Sequence, residues 1–185
     1  SAPATATRWQ FSTPAPVLQS RFPNGPGVRL QPLIVLGFDQ RIDAAAMLPF
    51  VRLESAGGKP GPRLRLANED EIKADGAWTA QGQDRDPQRT LMLMPESPLP
   101  TETQVSVVLS AGAPSAEGPR LTSAEQRFDF TTFGPFKVVE HRCGWQGDCG
   151  PDDEFTLRLS NELAEDQDIE AMVKVKPSFD GATVR

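Results

Sequence analysis

The sequence predicts an all-β protein that folds as an antiparallel β-sandwich, and three observations support this. Eighteen prolines and fifteen glycines are spread over 185 residues, which is typical of many short strands separated by turns. Segments that alternate apolar and polar residues recur along the chain, whereas segments with helical periodicity are few. Several segments also occur twice, at a spacing of about 120 residues, which suits repeated all-β domains.

The clearest repeat is the apolar run of residues 33–43, whose counterpart is residues 155–164. Phe38 corresponds to Leu159, at an offset of 121 (159 − 38). Each copy then continues into a further strand-like segment: residues 50–53 and residues 172–175. An apolar run that ends in a polar turn and resumes as alternation predicts two successive strands in each copy.

A second repeat sets the limits of the domains. Residues 8–13 match residues 127–132 at an offset of 119 (127 − 8). Both segments place two aromatic rings on one face of a strand, and both lead into proline, which cannot continue a ladder. Each segment is therefore predicted to be the closing strand of a domain.

These limits divide the chain into three parts. Residues 1–13 are expected to be the closing strand of an upstream domain and a linker. Residues 14–132 are expected to form one complete domain, and residues 133–185 a linker and the first strands of a second domain. The chain is therefore interpreted as one complete domain with parts of its neighbours, cut from a longer protein.

Eight segments of the complete domain have strand patterns. They are residues 17–19, 32–38, 50–54, 63–66, 78–79, 90–94, 104–110 and 126–131. Turn signals such as Asp75-Gly76 separate them, and seven or eight strands in about 115 residues is the number found in an immunoglobulin-like β-sandwich. Residues 43–48 and residues 165–172 are each predicted to form a helical turn or two between strands.

Charge and hydropathy exclude several classes of function. The net charge is −6 and the pI is near 4.9, with no block of basic residues, so no nucleic acid is expected as a partner. No window holds about 18 uninterrupted apolar residues, so this segment is expected to make no direct membrane contact. Residues 1–7 have neither a basic start nor an apolar core, so any signal peptide is expected upstream.

Cys143 and Cys149 are the only cysteines, and glycines at 144, 147 and 150 allow the chain around them to fold back. The first interpretation is an intrachain disulfide, which implies an oxidising compartment. Zinc would need a ligand beyond the two cysteines and His141. A redox motif needs two residues between its cysteines, and a catalytic cysteine beside His141 would lack an orienting third group. His141, the only histidine, is expected to be a solvated linker residue.

The remaining polar groups predict no active site. Carboxylates cluster in residues 68–71 and again at residues 148 and 152–154. These clusters lack the alternating ligand spacing of a calcium loop, so solvated acidic loops are favoured over a calcium site. Three serines, Ser115, Ser123 and Ser160, lie in no Gly-x-Ser-x-Gly elbow. No catalytic residue, metal ligand or cofactor is predicted, and the chain is expected not to be an enzyme.

Several segments, taken in order, resemble bacterial alpha-2-macroglobulin-like proteins. They are residues 9–16, 33–43, 98–100, 116–119 and 128–135, followed by Cys143-Gly144, Cys149 and residues 159–163. The resemblance covers most of the chain and implies a run of macroglobulin-type β-sandwich domains from the N-terminal scaffold of such a protein. It further implies a role in trapping attacking proteases, in which a bait segment is cleaved and the scaffold closes round the protease.

The same resemblance implies partners and a location. The full-length protein would bind proteases, and this segment would contact neighbouring macroglobulin domains of the same chain. The protein would be a periplasmic lipoprotein anchored in the inner membrane. Many members of the family carry a thioester formed by a Cys-x-Glu-Gln motif. Cys143 and Gln146 have that spacing, but Trp145 replaces the glutamate, so no thioester is predicted in this chain.

Two other classes of function are relevant. An immunoglobulin-like repeat segment of a bacterial cell-surface adhesin or structural protein would have the same periodicity and is the alternative prediction. A carbohydrate-binding module would need an exposed aromatic platform. Trp9, Trp78 and Trp145 are too scattered in the sequence to form one.

Overall fold

The computed structural model describes residues 12–80, 86–144, 153–161, 163 and 168–174. The chain forms two compact units, Ser1–Pro135 and Phe136–Arg185, which we call unit 1 and unit 2. Strands in antiparallel sheets dominate the described residues, and the helices among them are few and short. The predicted all-β sandwich class is therefore confirmed.

Nine strands follow one another in the described part of unit 1. They are β1 (Leu18–Phe22), β2 (Gly25–Val28), β3 (Ile34–Phe38), β4 (Val51–Ser55), β5 (Lys59–Pro60), β6 (Leu64–Leu66), β7 (Thr90–Pro95), β8 (Gln104–Leu109) and β9 (Gln126–Thr132). Sheet A has the order β1-β3-β7-β6, and sheet B has the order β2-β9-β8-β4-β5. Neighbouring strands are antiparallel except β2 and β9, which run parallel.

After β1 the chain passes from sheet A to sheet B. A cis peptide bond joins Phe22 to Pro23, and Gly25 and Gly27 have φ angles of 77° and 76°, a conformation that suits glycine. β2 then pairs with β9, whereas β3 returns to sheet A and pairs with β1. Sheet B therefore contains both an early strand of unit 1, β2, and its last strand, β9.

The main core lies between the two sheets. Ile34 and Leu36 of sheet A and Val105 and Val107 of sheet B belong to one cluster of buried apolar side chains. This arrangement follows from the period-two alternation, which turns every second side chain of a strand toward the other sheet. Removal of these side chains from water is the main force that holds the sheets together.

A short helix, α1 (Ala44–Met47), follows β3. The Asp43 carboxylate caps it by accepting hydrogen bonds from the main-chain N–H groups of Ala45 and Ala46, at 2.9 and 3.1 Å. Such a cap satisfies donors that the first turn of a helix leaves without partners. The helical turn predicted for residues 43–48 is confirmed.

Sheet A is buried on its outer face as well, so that all five residues of β3 are buried. Two helices, α2 (Glu69–Ala74) and α3 (Gly76–Thr79), cover that face. A second buried cluster lies there: Phe22, Leu33, Val35 and Trp78. Unit 1 therefore has three layers, the helices, sheet A and sheet B.

The strand predicted for residues 78–79 is wrong, because these residues belong to α3. The main-chain N–H of Trp78 donates to the Asp75 carboxylate at 2.9 Å, which begins a helical turn. The indole then packs on the Phe22 ring, with ring centroids 5.5 Å apart. The other seven predicted segments each overlap a strand of unit 1, while β2 and β5 are strands that the sequence did not predict.

Unit 2 contains a two-stranded antiparallel sheet and a short helix among its described residues. These are β10 (Val138–Cys143), β11 (Phe155–Leu159) and α4 (Ile169–Met172). The linker predicted to begin at residue 133 therefore contains a strand, since pairing with β11 makes the polar segment β10 extended. The helical turn predicted for residues 165–172 is confirmed where α4 lies.

The strand predicted for residues 172–175 is wrong where the structure describes it. Met172 ends α4, and Val173 and Lys174 have no regular secondary structure. Residue 175 lies outside the described residues. The first residue of the predicted strand belongs to α4. The local alternation of apolar and polar residues was therefore not sufficient to form a strand here.

Candidate functional site

Cys143 is the last residue of β10 and is half-buried opposite Phe155. Just beyond it, the main-chain N–H of Gly144 donates to the carbonyl of Glu154 at 3.4 Å. The described residues include no free cysteine. Cys149, Trp145 and Gln146 lie outside the described residues, so the pairing of Cys143 with Cys149 stays a prediction.

His141 lies in β10, in the register position opposite Leu157. Its imidazole is exposed and stacks on the Phe155 ring, with ring centroids 6.2 Å apart. The expectation of a linker residue was therefore wrong, although the exposure of the side chain was predicted. Among the described residues, no group of three or more histidine, cysteine, aspartate or glutamate side chains could hold a metal ion.

The acidic cluster of residues 68–71 is the beginning of α2 and not a solvated loop. Asn68 and Glu71 form a reciprocal capping box in which each side chain accepts the main-chain N–H of the other residue at 2.9 Å. Arg65 pairs with the Glu71 carboxylate through two guanidinium nitrogens. This pairing with Arg65, and next the Asn68 main chain, lowers the pKa of Glu71 to about 2. The cluster therefore stabilises a helix end.

The second acidic cluster is only partly described. Asp153 and Glu154 are exposed just before β11, whereas residues 148 and 152 lie outside the described residues. Ser123 is exposed in the irregular segment ahead of β9. The Ser160 hydroxyl accepts a hydrogen bond from the main-chain N–H of Lys137 at 2.9 Å, so it closes the β10–β11 ladder.

Ser115 belongs to a polar cluster that sequence analysis did not assemble. We call it the approach cluster, because it ties the stretch ahead of β1 to the sandwich. It comprises the side chains of Thr13, Gln40, Arg41, Ser115 and Glu117 and the carbonyl of Pro14. These groups come from three segments of unit 1: the stretch ahead of β1, the end of β3 and the loop that follows β8.

A buried amide lies at the centre of the approach cluster. Gln40 is 4% exposed, and the Ser115 hydroxyl donates to its side-chain oxygen at 2.6 Å. The side-chain nitrogen of Gln40 donates to the carbonyl of Pro14 at 3.1 Å. A buried amide that lost either partner would be left unsatisfied, at a cost of about 1–3 kcal/mol.

A carboxylate completes the approach cluster. Glu117 accepts hydrogen bonds from the main-chain N–H and the guanidinium Nε of Arg41, at 2.9 and 3.0 Å. The Arg41 main chain, and next its guanidinium, lower the pKa of Glu117. The Thr13 hydroxyl donates to the Glu117 carbonyl at 3.3 Å. A Cβ added to Gly118 would lie 2.8 Å from the Thr13 Cβ, so only glycine permits this close approach.

The outer face of sheet B carries a second polar arrangement, an exposed network of ion pairs. Arg52 bonds to Glu54 and Glu125 at 2.9 and 2.8 Å, and Arg127 bonds to the same two carboxylates at 2.7 and 3.2 Å. Both arginine side chains are 44% exposed, so solvent and salt screen the network. The outer face of sheet B therefore presents positive and negative side chains to the solvent.

The described residues also outline an open depression of about 420 Å³ on unit 2. Its lining consists of Val139, Glu140, Arg158, Leu159 and Ser160. Glu140 pairs with Arg142 at 2.6 Å and with Arg158 at 3.6 Å, so the charges of the depression are already satisfied. The depression therefore offers a ligand little beyond a solvated surface.

No protein-family model matches the chain, and no curated protein matches it significantly. Among the described helices, none has the length and hydrophobicity required to cross a membrane.

The approach cluster could be found only in part from the sequence. Residues 116–119 stood out in the resemblance, and Gly118 marks a position where a side chain is excluded. The partners Gln40 and Ser115 lie 75 positions apart. Nothing local to either residue indicates that the fold brings them together.

Proposed function

We propose that this chain is a non-enzymatic scaffold segment of a bacterial alpha-2-macroglobulin-like protease-trapping inhibitor. The observation that carries the proposal is the approach cluster, which fixes the segment ahead of β1 to the body of the sandwich. Domains of one chain move relative to each other by default unless contacts hold them. The cluster lies within unit 1 and would hold its connection to an upstream domain, so that unit 1 moves with that domain when the scaffold closes round a protease.

The strand order supports the same proposal. Sheet A has the order β1-β3-β7-β6, and the inner part of sheet B has the order β9-β8-β4. These orders correspond to the ABED and GFC sheets of an immunoglobulin-type sandwich. This order supports an immunoglobulin-like sandwich, and we propose that unit 1 is of the macroglobulin type.

Three of the segments on which the resemblance rests take part in these features. Residues 33–43 contain β3 and the Gln40–Arg41 part of the approach cluster. Residues 116–119 supply the Glu117 carboxylate, and residues 128–135 contain most of β9 and the end of unit 1. These three segments of the resemblance therefore supply β3, part of the approach cluster and most of β9. A scaffold role requires such structural positions.

Two buried threonine hydroxyls of unit 1 also have structural partners. The Thr122 hydroxyl donates to the carbonyl of Ser110 at 3.1 Å, and the Thr132 hydroxyl donates to the carbonyl of Pro100 at 2.6 Å. A nucleophile needs a base and an orienting group beside it, whereas these hydroxyls bond to the main chain. Their environment favours a scaffold over an enzyme.

The partners and the location belong to the proposal as well. The full-length protein would bind proteases, and this segment would contact neighbouring macroglobulin domains in the periplasm, with a lipid anchor elsewhere in the protein. The alternative is a repeat segment of a bacterial adhesin or structural protein. A sandwich with a fixed approach segment suits a linear array of domains equally well.

An assay with two substrates separates these functions. The full-length protein is incubated with trypsin, and residual activity is measured on a large protein and on a small chromogenic peptide. A trap lowers activity on the large substrate and spares the small one, because the enclosed protease stays active. An adhesin changes neither activity, and that result would refute the proposal. The 185-residue chain, assayed in parallel, is expected to give no protection.

A further inference from the structure

The hairpins β1–β3 and β10–β11 pair their backbones in the same register. The partners in unit 1 are Leu18↔Phe38, Ser20↔Gly37, Arg21↔Leu36 and Phe22↔Val35. The partners in unit 2 are Val138↔Leu159, Glu140↔Arg158, His141↔Leu157 and Arg142↔Thr156. Every position of β10 is offset by 120 from β1 (138 − 18) and every position of β11 by 121 from β3 (159 − 38).

Both hairpins also contain an irregularity at the same step. The register shifts between Leu18 and Ser20 in unit 1 and between Val138 and Glu140 in unit 2. A bulge at one particular step is a specific feature of a fold, because it bends the strand and changes its twist. Its recurrence at offset 120 (138 − 18) is therefore evidence for the same local structure.

The two ladders close in the same way. The main-chain N–H of Asp39 donates to the carbonyl of Val17 at 3.2 Å, and that of Ser160 donates to Lys137 at 2.9 Å. In return, the N–H of Val17 donates to the Asp39 side chain at 2.8 Å, and that of Lys137 to the Ser160 side chain at 2.9 Å. An ordinary hairpin does not require this reciprocal closure, and here it occurs twice.

The hairpins differ in what covers them. In unit 1, Ile34 and Leu36 are 0% exposed, whereas their counterparts Phe155 and Leu157 are 58% and 37% exposed. β3 pairs with β1 on one edge and with β7 on the other. Among the residues that the structure describes, β11 pairs with β10 alone. An exposed edge with an apolar face is a template for a further strand.

We infer that β10–β11 is the first strand pair of a second copy of the unit 1 sandwich, and that the free edge of β11 accepts an antiparallel strand of the β7 type from the same polypeptide. Unit 1 fills the corresponding edge with its own β7, whose Leu93 lies opposite Ile34 and whose Leu91 lies opposite Leu36. By the offset of the repeat, the donor strand would follow β7 by about 121 residues.

The chemistry of β11 specifies the donor strand. The face that bears Phe155 and Leu157 requires apolar partners, as Leu91 and Leu93 supply in unit 1. The opposite face of β11 bears Thr156 and Arg158, where β3 bears Val35 and Gly37. The donor is therefore expected to alternate, with apolar residues toward Phe155 and polar residues toward Arg158.

An appended strand tests this inference on the whole chain. The 185 residues are extended by a flexible glycine-serine linker and a copy of residues 88–96 that carries Met92→Thr and Met94→Thr, so that the strand alternates as specified. The linker raises the effective concentration of the strand to the millimolar range. Amide hydrogen exchange of residues 155–159 is expected to slow by about tenfold or more. The matched control carries Leu93→Pro in the appended copy only, which removes a ladder donor on the edge that faces β3 in unit 1 and is expected to restore fast exchange.

Three results would overturn the inference. The first is unchanged exchange in the extended chain. The second is equal slowing with the proline control, which would indicate a contact that needs no ladder. The third is concentration-dependent protection of residues 155–159 in the chain without extension, which would assign the edge to a second copy. None of these depends on protease trapping, so this inference and the proposed function can fail separately.

Discussion

The hairpins β1–β3 and β10–β11 share a register, a bulge and a closing pair of hydrogen bonds, yet the strand β3 is buried and its counterpart β11 is mostly exposed. The comparison separates two contributions to a β-structure. Backbone pairing sets the geometry of a hairpin, but a two-stranded sheet is marginal in water on its own. Layers on its faces supply the stability, because they remove apolar side chains from water. Unit 1 has those layers, and the described part of unit 2 does not.

The largest expected effect comes from the same truncation at two matched positions. Leu36→Ala empties a fully buried site between the sheets, and we expect it to lower the free energy of unfolding of unit 1 by about 3–5 kcal/mol. Leu157→Ala removes a partly exposed side chain in the corresponding position of unit 2. We expect it to change the free energy of unfolding by no more than about 0.5 kcal/mol. Urea unfolding, monitored by intrinsic tryptophan fluorescence, measures both. Equal losses would contradict the comparison.

The next effect tests the outer helical layer, which only unit 1 has among the described residues. Trp78→Ala uncovers Phe22 and the outer face of sheet A, with an expected loss of about 3 kcal/mol, at the lower end of the range for a buried aromatic. Leu121→Ala is the control, because Leu121 is 53% exposed in unit 1. The measurement is the midpoint of urea unfolding by circular dichroism. A loss no larger than that of the control would mean that the helices are not a stabilising layer.

The helical layer that Trp78 anchors was not predicted from the sequence, whereas most strands were. Segments such as β8, with Val105, Val107 and Leu109 on one face, have an alternation that only a strand produces. Residues 78–79 have no period of their own, and the helix depends on the Asp75 cap and on burial against Phe22. β10 is a strand because it pairs with β11. Its local sequence does not indicate this contact.

The candidate site was less predictable than the fold for the same reason. Gln40 is a polar residue buried by partners that arrive from distant loops, and local patterns carry no information on such partners. In contrast, the capping box of Asn68 and Glu71 lies within four consecutive residues. Its sequence signature is visible, although the acidic composition of the segment favoured a loop.

A third effect concerns the connection within each hairpin. β1 and β3 are joined through β2, whereas the connection from β10 to β11 contains Cys149. A disulfide between Cys143 and Cys149 would stabilise this small loop by about 2 kcal/mol on the chain-entropy model. Reduction is therefore expected to speed amide exchange in β10 and β11 and to leave unit 1 unchanged.

Mass spectrometry after alkylation tests the disulfide directly. Protein recovered from an oxidising compartment should take up alkylating reagent only after reduction. The control is the double variant Cys143→Ser and Cys149→Ser, whose exchange should not respond to reductant. Two alkylated cysteines before reduction would refute the pairing.

The smallest expected effect is the dependence of stability on pH, and it again distinguishes the two units. Arg65 and the Asn68 main chain lower the pKa of Glu71 from 4.5 to about 2. A carboxylate with a lowered pKa stabilises the folded state above its unfolded pKa, and the stabilisation is lost as the pH falls through its folded pKa. Unit 1 should therefore lose stability between about pH 4.5 and pH 2, and Glu71→Gln should make that loss smaller.

The matched control for this pH effect is Glu140→Gln in β10. The pKa of Glu140 is also lowered, chiefly by its hydrogen bond with Arg142, but Glu140 lies in unit 2 and pairs at an exposed surface. Its substitution should leave the acid unfolding of unit 1 unchanged. The measurement is the urea midpoint of unit 1 at a series of pH values from 7 to about 2.5, the window in which carboxylates titrate. If Glu71→Gln and Glu140→Gln shift that midpoint equally, the capping box does not account for the acid sensitivity of unit 1.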